Sequence, residues 1–302
     1  MADCALCNSS NSITYYQRRD YRIMKCNRCG LLYIDPQPTK EELKKYYTEL
    51  ADHRYLLKYK HQTIQRGKKI LEMVGRLKRG GDLLDVGCGY GFFLNLAREK
   101  GWRTHGLELS PGALKYARET YKLDLLEGDI AEASLKPKQF DFITLQHVLE
   151  HISEPILILK KLAKALKDDG ILVVVVPNAS SLMARFARTR WVCLSEATHH
   201  LFHYTIKTLT LLLSLGGFET VSSLTYQWEG RDLMWGMKVF LKRLIKAEDD
   251  RDIIEKPNQS NWQEEQQVIA RGKYMCARPL GWLVAKFGLG AEIITVAKKE
   301  LR

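Results

Sequence analysis

LLDVGCGYGFF, residues 83–93, is the stretch that decides the fold of this 302-residue chain. An apolar strand, LLDV, runs into a turn with glycine at every second position, and a helix opens directly after it. Glycine permits positive φ angles and lets the backbone approach a ligand without a Cβ clash. The N-terminus of the helix adds N–H groups that have no partner within the helix. The stretch therefore predicts a strand–turn–helix unit that holds a small ligand against its backbone.

Strands and helices alternate along the chain on both sides of this unit. THGLEL and FDFITLQ are typical of buried strands, and GILVVVVP is apolar throughout, as a central parallel strand is. Between them lie a helix with Ser110 as N-cap and Pro111 at its start, and a second helix over Glu154–Lys167. FETVSSLTY and AEIITVAKK predict two further strands. The order predicts an α/β fold, a doubly wound, mostly parallel seven-stranded sheet covered by helices.

Acidic residues near the turn indicate the chemistry of the ligand. The glycine spacing is G-x-G-x-G with Asp85 just before it, whereas dinucleotide-binding sites have G-x-G-x-x-G. Glu108 ends the second strand, where a carboxylate can accept two hydrogen bonds from ribose hydroxyls. Asp129 follows the third strand and could accept a hydrogen bond from an adenine amino group. This set suits a nucleoside that carries a positive sulfonium and no pyrophosphate.

These residues resemble the motifs of class I S-adenosylmethionine (SAM)-dependent methyltransferases, and the resemblance covers nearly the whole chain. It implies a Rossmann-like fold, SAM as the cofactor and methyl transfer as the activity. Asp85 matches the first motif, Glu108 the ribose-binding acid and Asp129 the adenine-side acid. Gln146 and His147 match the segment beside the methionine end of the cofactor. The candidate SAM-binding residues are Asp85, Gly87, Cys88, Gly89, Gly91, Phe92, Phe93, Glu108, Leu109, Asp129, Ile130, Gln146 and His147.

Four of the seven cysteines form two close pairs near the N-terminus. Cys4-x2-Cys7 and Cys26-x2-Cys29 are separated by 18 residues, which is the spacing of a zinc ribbon. Four thiolates leave no open position on a tetrahedral zinc ion, so the predicted role is structural. A module of about 35 residues buries too little apolar surface to fold without such a staple. The sequence therefore predicts structural zinc as a second cofactor.

The ribbon, Arg190-Trp191 and the run HHLFHYT (199–205) together resemble a subgroup of class I methyltransferases that begins with a zinc ribbon. Members of that subgroup act on small molecules, often sugars, polyketide-like or lipid-linked metabolites. The resemblance therefore implies a small-molecule acceptor, methylated on an O, N or C atom.

Three histidines are candidates for a general base. His203 and His200 follow the fifth strand, near the sheet edge where such folds bind ligands, and His151 follows the SAM-lining segment. A structural role is the alternative for each of them. Glu150 with His151 also resembles part of a divalent-metal site in some quinone-pathway methyltransferases. Gln146 stands where a further carboxylate is expected, so no metal is predicted there.

Composition changes divide the chain into five predicted segments. These are a zinc-ribbon module (1–35), a helical linker or cap (36–80), a SAM-binding core (81–226), a helical insertion (227–290) and a final sheet strand (291–302). RDLMWGMKVFLKRLIK (231–246) is predicted as a basic amphipathic helix, and PLGWLVAKFGLG (279–290) as a second apolar segment. Each is interpreted as a lid or dimer contact, or alternatively as a contact with a membrane or a hydrophobic acceptor.

A formal net charge of +12 favours anionic partners, such as a nucleotide-linked substrate or an acidic membrane surface. An RNA-modifying methyltransferase is therefore a second hypothesis, although no Asn-Pro-Pro-Tyr-type motif supports nucleic acid as the substrate. A catalytically inactive binding scaffold is the third. The N-terminus MADCALCNSS has no secretory signal, which predicts a cytoplasmic protein with peripheral membrane contact left open. The oligomeric state stays open.

Overall fold

A computed structural model of the chain describes residues 3–17, 20–50, 57, 59–188, 191–195, 199–227 and 278–300. The chain forms two compact units. The core unit comprises residues 37–176, 206–223 and 294–302, and the cysteine unit comprises residues 1–36, 177–205 and 224–293. The basic helix predicted over 231–246 lies outside the described residues. No helix within the described ranges combines the length and the apolar character that crossing a membrane requires.

The regular elements are numbered in chain order. The strands are β1 (Ser12–Gln17), β2 (Arg22–Cys26), β3 (Leu32–Asp35), β4 (Gly81–Val86), β5 (Trp102–Glu108), β6 (Leu125–Glu127), β7 (Phe140–Gln146), β8 (Leu166–Pro177), β9 (Phe202–His203), β10 (Phe218–Tyr226) and β11 (Glu292–Lys299). The helices are α1 (Lys40–Lys45), α2 (Lys60–Gly75), α3 (Phe92–Glu99), α4 (Pro111–Tyr121), α5 (Pro155–Ala165), α6 (Leu182–Ala187), α7 (Val192–Ser195), α8 (Ile206–Leu215) and α9 (Arg278–Lys286). A π-helical turn spans Tyr46–Leu50, and a 3-10 turn spans Leu149–His151.

The predicted α/β fold with a mostly parallel seven-stranded sheet is confirmed. The strand order is β10-β11-β8-β7-β4-β5-β6, and β4 pairs in parallel with both β5 and β7. Strands β5 and β6, and strands β7 and β8, are also parallel. The chain leaves β4 toward β5 and β6 and then returns to the other side of β4 with β7. This reversal places a topological switch point between β4 and β7, where α/β sheets bind ligands.

The centre of the sheet is uniformly apolar and buried, as the sequence predicts. Every residue of the segment 171–176 in β8 is at most 1% exposed. Burial of each Val, Leu or Ile side chain contributes about 2 kcal/mol to the free energy of unfolding. This buried core therefore fixes the position of β4, which leads into the glycine-rich turn, and of β7, which ends at Gln146.

Local signals place the helix ends. Ser110 caps α4, because its hydroxyl accepts a hydrogen bond from the Ala113 amide and Pro111 occupies the first helical position. Thr39 forms a capping box with Glu42 at the start of α1. The helix predicted over Glu154–Lys167 is too long by one residue at its start and by two at its end. Its last residue is Ala165, because Leu166 already pairs with Phe140 of the neighbouring strand.

The cysteine unit contains a second, smaller sheet. Its order is β1-β2-β3-β9, and each adjacent pair is antiparallel. The last strand comes from residues 202–203, far along the chain, and Leu32 is opposite His203 in the register. The Tyr21 hydroxyl also donates to the Leu194 carbonyl at 2.9 Å. The N-terminal hairpins are therefore completed by residues that follow β8.

Candidate active site at the glycine-rich turn

The glycine-rich turn lies at the carboxyl end of β4. Gly87, Gly89 and Gly91 have φ angles of 68°, 50° and 73°, in the region that favours glycine. The Gly87 and Cys88 amides donate to the Leu107 carbonyl, which ties the turn to β5. A Cβ on Gly87 would clash with Val148 Cγ2, whereas a Cβ on Gly89 would meet no atom of the described residues within 4 Å. The open side of the turn is therefore at Gly89, where a ligand can approach the backbone.

Glu108 is fixed by the turn that it faces. Its Oε2 accepts from the Gly89 amide, and its Oε1 accepts from the amides of Leu109 and Ser110, each at 2.8 Å. A carboxylate offers about four acceptor positions. Three are filled, so about one remains for a ligand hydroxyl, fewer than the two ribose hydrogen bonds that the sequence suggests. A second such bond requires the carboxylate to exchange one of its backbone donors.

Asp85 is a buried carboxylate near the carboxyl end of β4, just before the glycine-rich turn. Its residue is only 2% exposed, and its Oδ1 has no hydrogen-bond partner among the described residues. Burial, and then the negative charge of Glu108, raise the pKa of Asp85 well above its usual value, although a hydrogen bond with Gln146 and the charge of Arg66 oppose the shift. An unpartnered buried oxygen is costly unless a ligand supplies a donor. The site is thus suited to a cationic group.

Thr144 belongs beside Asp85, although the sequence interpretation did not include it. It is opposite Asp85 in the pairing of β4 with β7, and it lies two residues before Gln146 on the same face of the strand. Its Oγ1 and the Oε1 of Gln146 are both buried without a hydrogen-bond partner in the described part of the chain. Polar residues at alternate positions of the apolar strand FDFITLQ were the available signal.

The third acidic residue follows β6. The Asp129 carboxylate accepts from the Ala131 amide at 2.8 Å, and the residue is half-buried. Gly128 precedes it with a φ of 154°, and its amide donates to the Glu108 carbonyl. Leu109 is half-buried and Ile130 is 5% exposed. The loops after β5 and β6 therefore meet at the same edge of the sheet as the glycine-rich turn.

Three of the predicted ligand-binding residues have buried side chains. Cys88, Phe92 and Phe93 are 7%, 6% and 2% exposed. The Phe93 ring packs edge-on against Phe142, and the Phe92 ring stacks on Tyr90. The contribution of these three residues to a ligand site would come from their backbone, while their side chains anchor the start of α3.

Strand β7 ends at Gln146, on the other side of the switch point, and His147 follows it directly. His147 has a φ of 55°, and its amide donates to the Val175 carbonyl. Its Nδ1 lies 3.3 Å from Oε1 of Glu150, which is 1% exposed. The contact lacks hydrogen-bond geometry and would be an ion pair only with a protonated His147 imidazole. His151 Nε2 lies 3.9 Å from the same oxygen, so a buried acid that the sequence interpretation did not select lies beside two imidazoles.

His200 and His203 belong to the cysteine unit. His203 is 3% exposed, and its ring centroid is 5.8 Å from that of Trp191. His200 is half-buried, with Nδ1 3.3 Å from the Cys193 carbonyl and its ring centroid 6.4 Å from that of His203. The structure brings these two imidazoles together. The third candidate base, His151, belongs to the core unit.

The four cysteines form one cluster. Their Sγ atoms all lie within 4.8 Å of one another, with Cys4 3.6 Å from Cys29 and Cys7 3.5 Å from Cys26. Tetrahedral zinc with Zn–S bonds of about 2.3 Å places sulfurs about 3.8 Å apart, so the spacing fits zinc. Burial opposes ionisation of Cys26, but backbone N–H donors of Cys29 and Arg28 lower its pKa to about 6.

The known proteins to which this chain is similar are methyltransferases, in agreement with the geometry of the site. A profile for a methyltransferase domain matches residues 55–223. A malonyl-[acyl-carrier protein] O-methyltransferase of Serratia marcescens is 32% identical over 117 residues, which are 38% of this chain and 46% of the relative. A ubiquinone biosynthesis O-methyltransferase of Idiomarina loihiensis is 38% identical over 101 residues, which are 30% of this chain and 40% of the relative. The chain spans about half the length of the curated relatives it matches.

A solved SAM-dependent methyltransferase from Archaeoglobus fulgidus has the same fold. It is 20% identical, with a TM-score of 0.53, and the match covers 82% of this chain and 100% of the other. The profile match includes the glycine-rich turn, the three acidic loops and the switch point described above. Because that match extends over more than half of its length, the chain belongs to the methyltransferase domain family.

Proposed function

We propose that the chain is a SAM-dependent methyltransferase that acts on a small-molecule acceptor. The observation that carries this proposal is the buried Asp85 oxygen at the β4–β7 switch point, which has no hydrogen-bond partner among the described residues. SAM has two cationic groups, an ammonium and a sulfonium, and no phosphate. A buried carboxylate would attract such a cation, whereas it would repel the pyrophosphate of a dinucleotide.

The residues present fit this cofactor from one end to the other. Asp85 and Gln146 would hold the ammonium of its methionine part, and the open Gly89 backbone would lie against it. Glu108 would accept a ribose hydroxyl at its remaining position, since its other positions are filled by amides. Asp129 would face the adenine amino group. This assignment follows the order in which these residues line the sheet edge.

Methyl transfer requires mainly that the acceptor and the methyl group are held in line with each other. When bound, SAM supplies an electrophilic methyl group on a sulfonium. The chain would contribute by aligning the acceptor with that methyl group and by excluding water, which accounts for much of the rate in such displacements. Asp85 and Glu108 would fix the cofactor through charge and hydrogen bonds that are already organised. If the acceptor is a weakly acidic hydroxyl, His203, His200 or His151 would take its proton.

The acceptor is proposed to be a small molecule with an oxygen nucleophile. The relatives from Serratia marcescens and Idiomarina loihiensis are both named O-methyltransferases, one of a malonyl group on acyl-carrier protein and one of ubiquinone biosynthesis. The similarity extends over less than half of each of these relatives, so it supports an oxygen acceptor and leaves the acceptor's identity open.

The cysteine cluster is proposed to hold one structural zinc ion. Four sulfurs at the spacing of a tetrahedron saturate the metal, so the chemistry that zinc would supply is a crosslink between the two Cys-x2-Cys turns. Gly30 completes the second turn with a φ of 85°, and its amide donates to the Cys26 carbonyl. The module 1–35 is therefore proposed as a zinc ribbon.

Calorimetry with S-adenosylhomocysteine, and with NAD⁺ as the competing nucleotide class, tests the cofactor assignment. We expect S-adenosylhomocysteine to bind with one site per chain and NAD⁺ to give no heat. Binding of NAD⁺ without binding of S-adenosylhomocysteine would overturn the proposal. Methyl transfer would then be assayed with SAM and a panel of phenolic, carboxylic and amine acceptors, in which transfer to amines alone would contradict the oxygen acceptor.

A further inference from the structure

Helix α9 turns an apolar face toward solvent. On its inner side, Gly281 and Val284 are buried. On its outer side, Trp282, Leu283 and Phe287 are 64%, 44% and 72% exposed. A surface helix ordinarily points its polar side chains outward and its apolar ones inward. Here three large apolar side chains lie on the outer side, so this face requires a separate explanation.

The backbone around this face is held firmly. The Thr225 hydroxyl donates to the Ala285 carbonyl at 2.7 Å. The Asn178 side-chain amide donates to the carbonyls of Gly288 and Gly290, at 3.1 Å and 2.8 Å. Asn178 is itself fully buried. The aromatic side chains are therefore presented on an anchored helix end, and their exposure is a property of the fold of the cysteine unit.

The charge on the face is positive. Lys286 Nζ lies 5.2 Å from the centroid of the Trp282 ring, so the ammonium is on the same face as the exposed aromatics. The segment 278–290 contains two basic residues and no acidic residue. The whole chain carries a formal net charge of +12. This combination complements a surface that is both apolar and anionic.

We infer that the outer face of α9 docks on an anionic lipid bilayer. Trp side chains favour the headgroup region, where the ring is in an apolar layer and its N–H remains hydrated. Phe287 and Leu283 would enter the acyl boundary, and Lys286 would reach lipid phosphates. A face of four side chains, three on a nine-residue helix and one directly after it, gives weak, reversible binding. The inference goes beyond the proposed methyl transfer and does not depend on it.

Vesicle flotation of the full chain tests this inference. The vesicles contain equal parts of phosphatidylglycerol and phosphatidylcholine, with pure phosphatidylcholine as the neutral comparison. We expect binding to the anionic vesicles, and we expect the double variant Trp282→Ser/Phe287→Ser to weaken it about tenfold or more, because buried apolar area drives insertion. Lys286→Glu should also weaken it, and about 0.5 M salt should do the same by screening.

A matched control variant replaces two exposed apolar side chains by serine in the core unit, away from this face. Leu126 and Leu157 are 62% and 57% exposed in the core unit, and the double variant Leu126→Ser/Leu157→Ser should bind vesicles like the unaltered chain. Absence of binding to anionic vesicles at low salt would overturn the inference. Equal binding by the Trp282→Ser/Phe287→Ser variant would also overturn it. So would light scattering that shows a dimer which this variant breaks, because the face would then belong to a second copy.

Discussion

The glycine-rich turn and the cysteine cluster hold their proposed ligands by opposite means. At the turn, the open Gly89 backbone and polar side chains at the ends of neighbouring strands would provide the contacts, and their positions are fixed by a buried sheet. At the cluster, four side chains provide the contacts, and short antiparallel hairpins carry them. The first site should therefore keep its shape without its ligand. The second should lose its shape, because the metal supplies a large part of its folding free energy.

The largest expected effect is removal of zinc from the cysteine cluster. Structural zinc sites contribute about 10 kcal/mol or more to folding. We expect the purified chain to contain one zinc per chain by elemental analysis. We expect Cys26→Ser to abolish it and to reduce the strand content measured by circular dichroism. S-adenosylhomocysteine should still bind, since the residues proposed to hold it all belong to the core unit.

Cys88→Ser is the control for this experiment. Cys88 is buried beside the glycine-rich turn, and a serine there should leave the zinc content unchanged. A Cys26→Ser variant that retains a full equivalent of zinc would disprove the four-sulfur site. A variant that loses zinc and also loses cofactor binding would show that the two sites are coupled, whereas we expect cofactor binding to be independent of zinc.

The next largest effect is expected on cofactor binding when the carboxylate of Asp85 is removed. Asp85→Asn removes the charge that is proposed to face the cofactor ammonium, at a site where a charged hydrogen bond contributes about 2 to 3 kcal/mol. We expect about hundredfold weaker binding of S-adenosylhomocysteine by calorimetry. Asp82→Asn is the matched control, because Asp82 is an acid at the other end of the same strand. Equal losses in both variants would remove Asp85 from the site.

Because the pKa of Asp85 is raised, cofactor binding should also change its protonation, and this change can be measured. Burial and Glu108 favour the protonated carboxyl in the empty site, and a bound ammonium favours the carboxylate. Binding should therefore release a proton, and affinity should increase with pH until the empty site is already ionised. Calorimetry in two buffers with different ionisation enthalpies measures this release. Asp85→Asn should abolish it, and a release that persists in the variant would assign it to another group.

Much of the fold and part of the site could be predicted because their signals are local. The Ser110 cap, the glycine turn and the apolar β8 each depend on a few neighbouring residues. Glu150 was named in the sequence but not assigned to the site, because no local pattern shows that it is buried. Thr144 escaped prediction because its importance comes from its partner Asp85 on the neighbouring strand. The end of α5 was misplaced for the same reason, since strand pairing at Leu166 ends the helix. The pairing of β9 with β3 joins residues about 170 positions apart, a distance at which no local pattern acts.

A smaller effect should distinguish contact with the ligand from backbone strain. Gly89→Ala and Gly101→Ala both place a side chain at positive φ, where alanine costs about 1 kcal/mol. In the part of the chain that the structure describes, neither Cβ meets an atom within 4 Å. Both variants should lose similar stability in urea. We expect only Gly89→Ala to weaken binding of S-adenosylhomocysteine, about tenfold, because its Cβ would occupy the open side of the turn. A loss of the same size in Gly101→Ala would mean that strain alone explains it.

The smallest effect compares the two acids of β4 through their pH dependence. Hydrogen bonding to Arg103 lowers the pKa of Asp82 to about 2, so its stabilisation is present above about 3.8, the unfolded value, and disappears as pH falls through about 2. Because the Arg103 side chain is 71% exposed, screening limits this to about 1 kcal/mol.

For Asp85 the pKa is raised, so the sign is reversed: folding loses stability as pH rises above about 3.8, and asparagine avoids that loss. Urea unfolding between pH 3 and pH 7 should thus show Asp82→Asn becoming relatively less stable as pH increases and Asp85→Asn relatively more stable. Parallel curves for the two variants would contradict the distinction between an acid that stabilises the strand and an acid kept for a ligand.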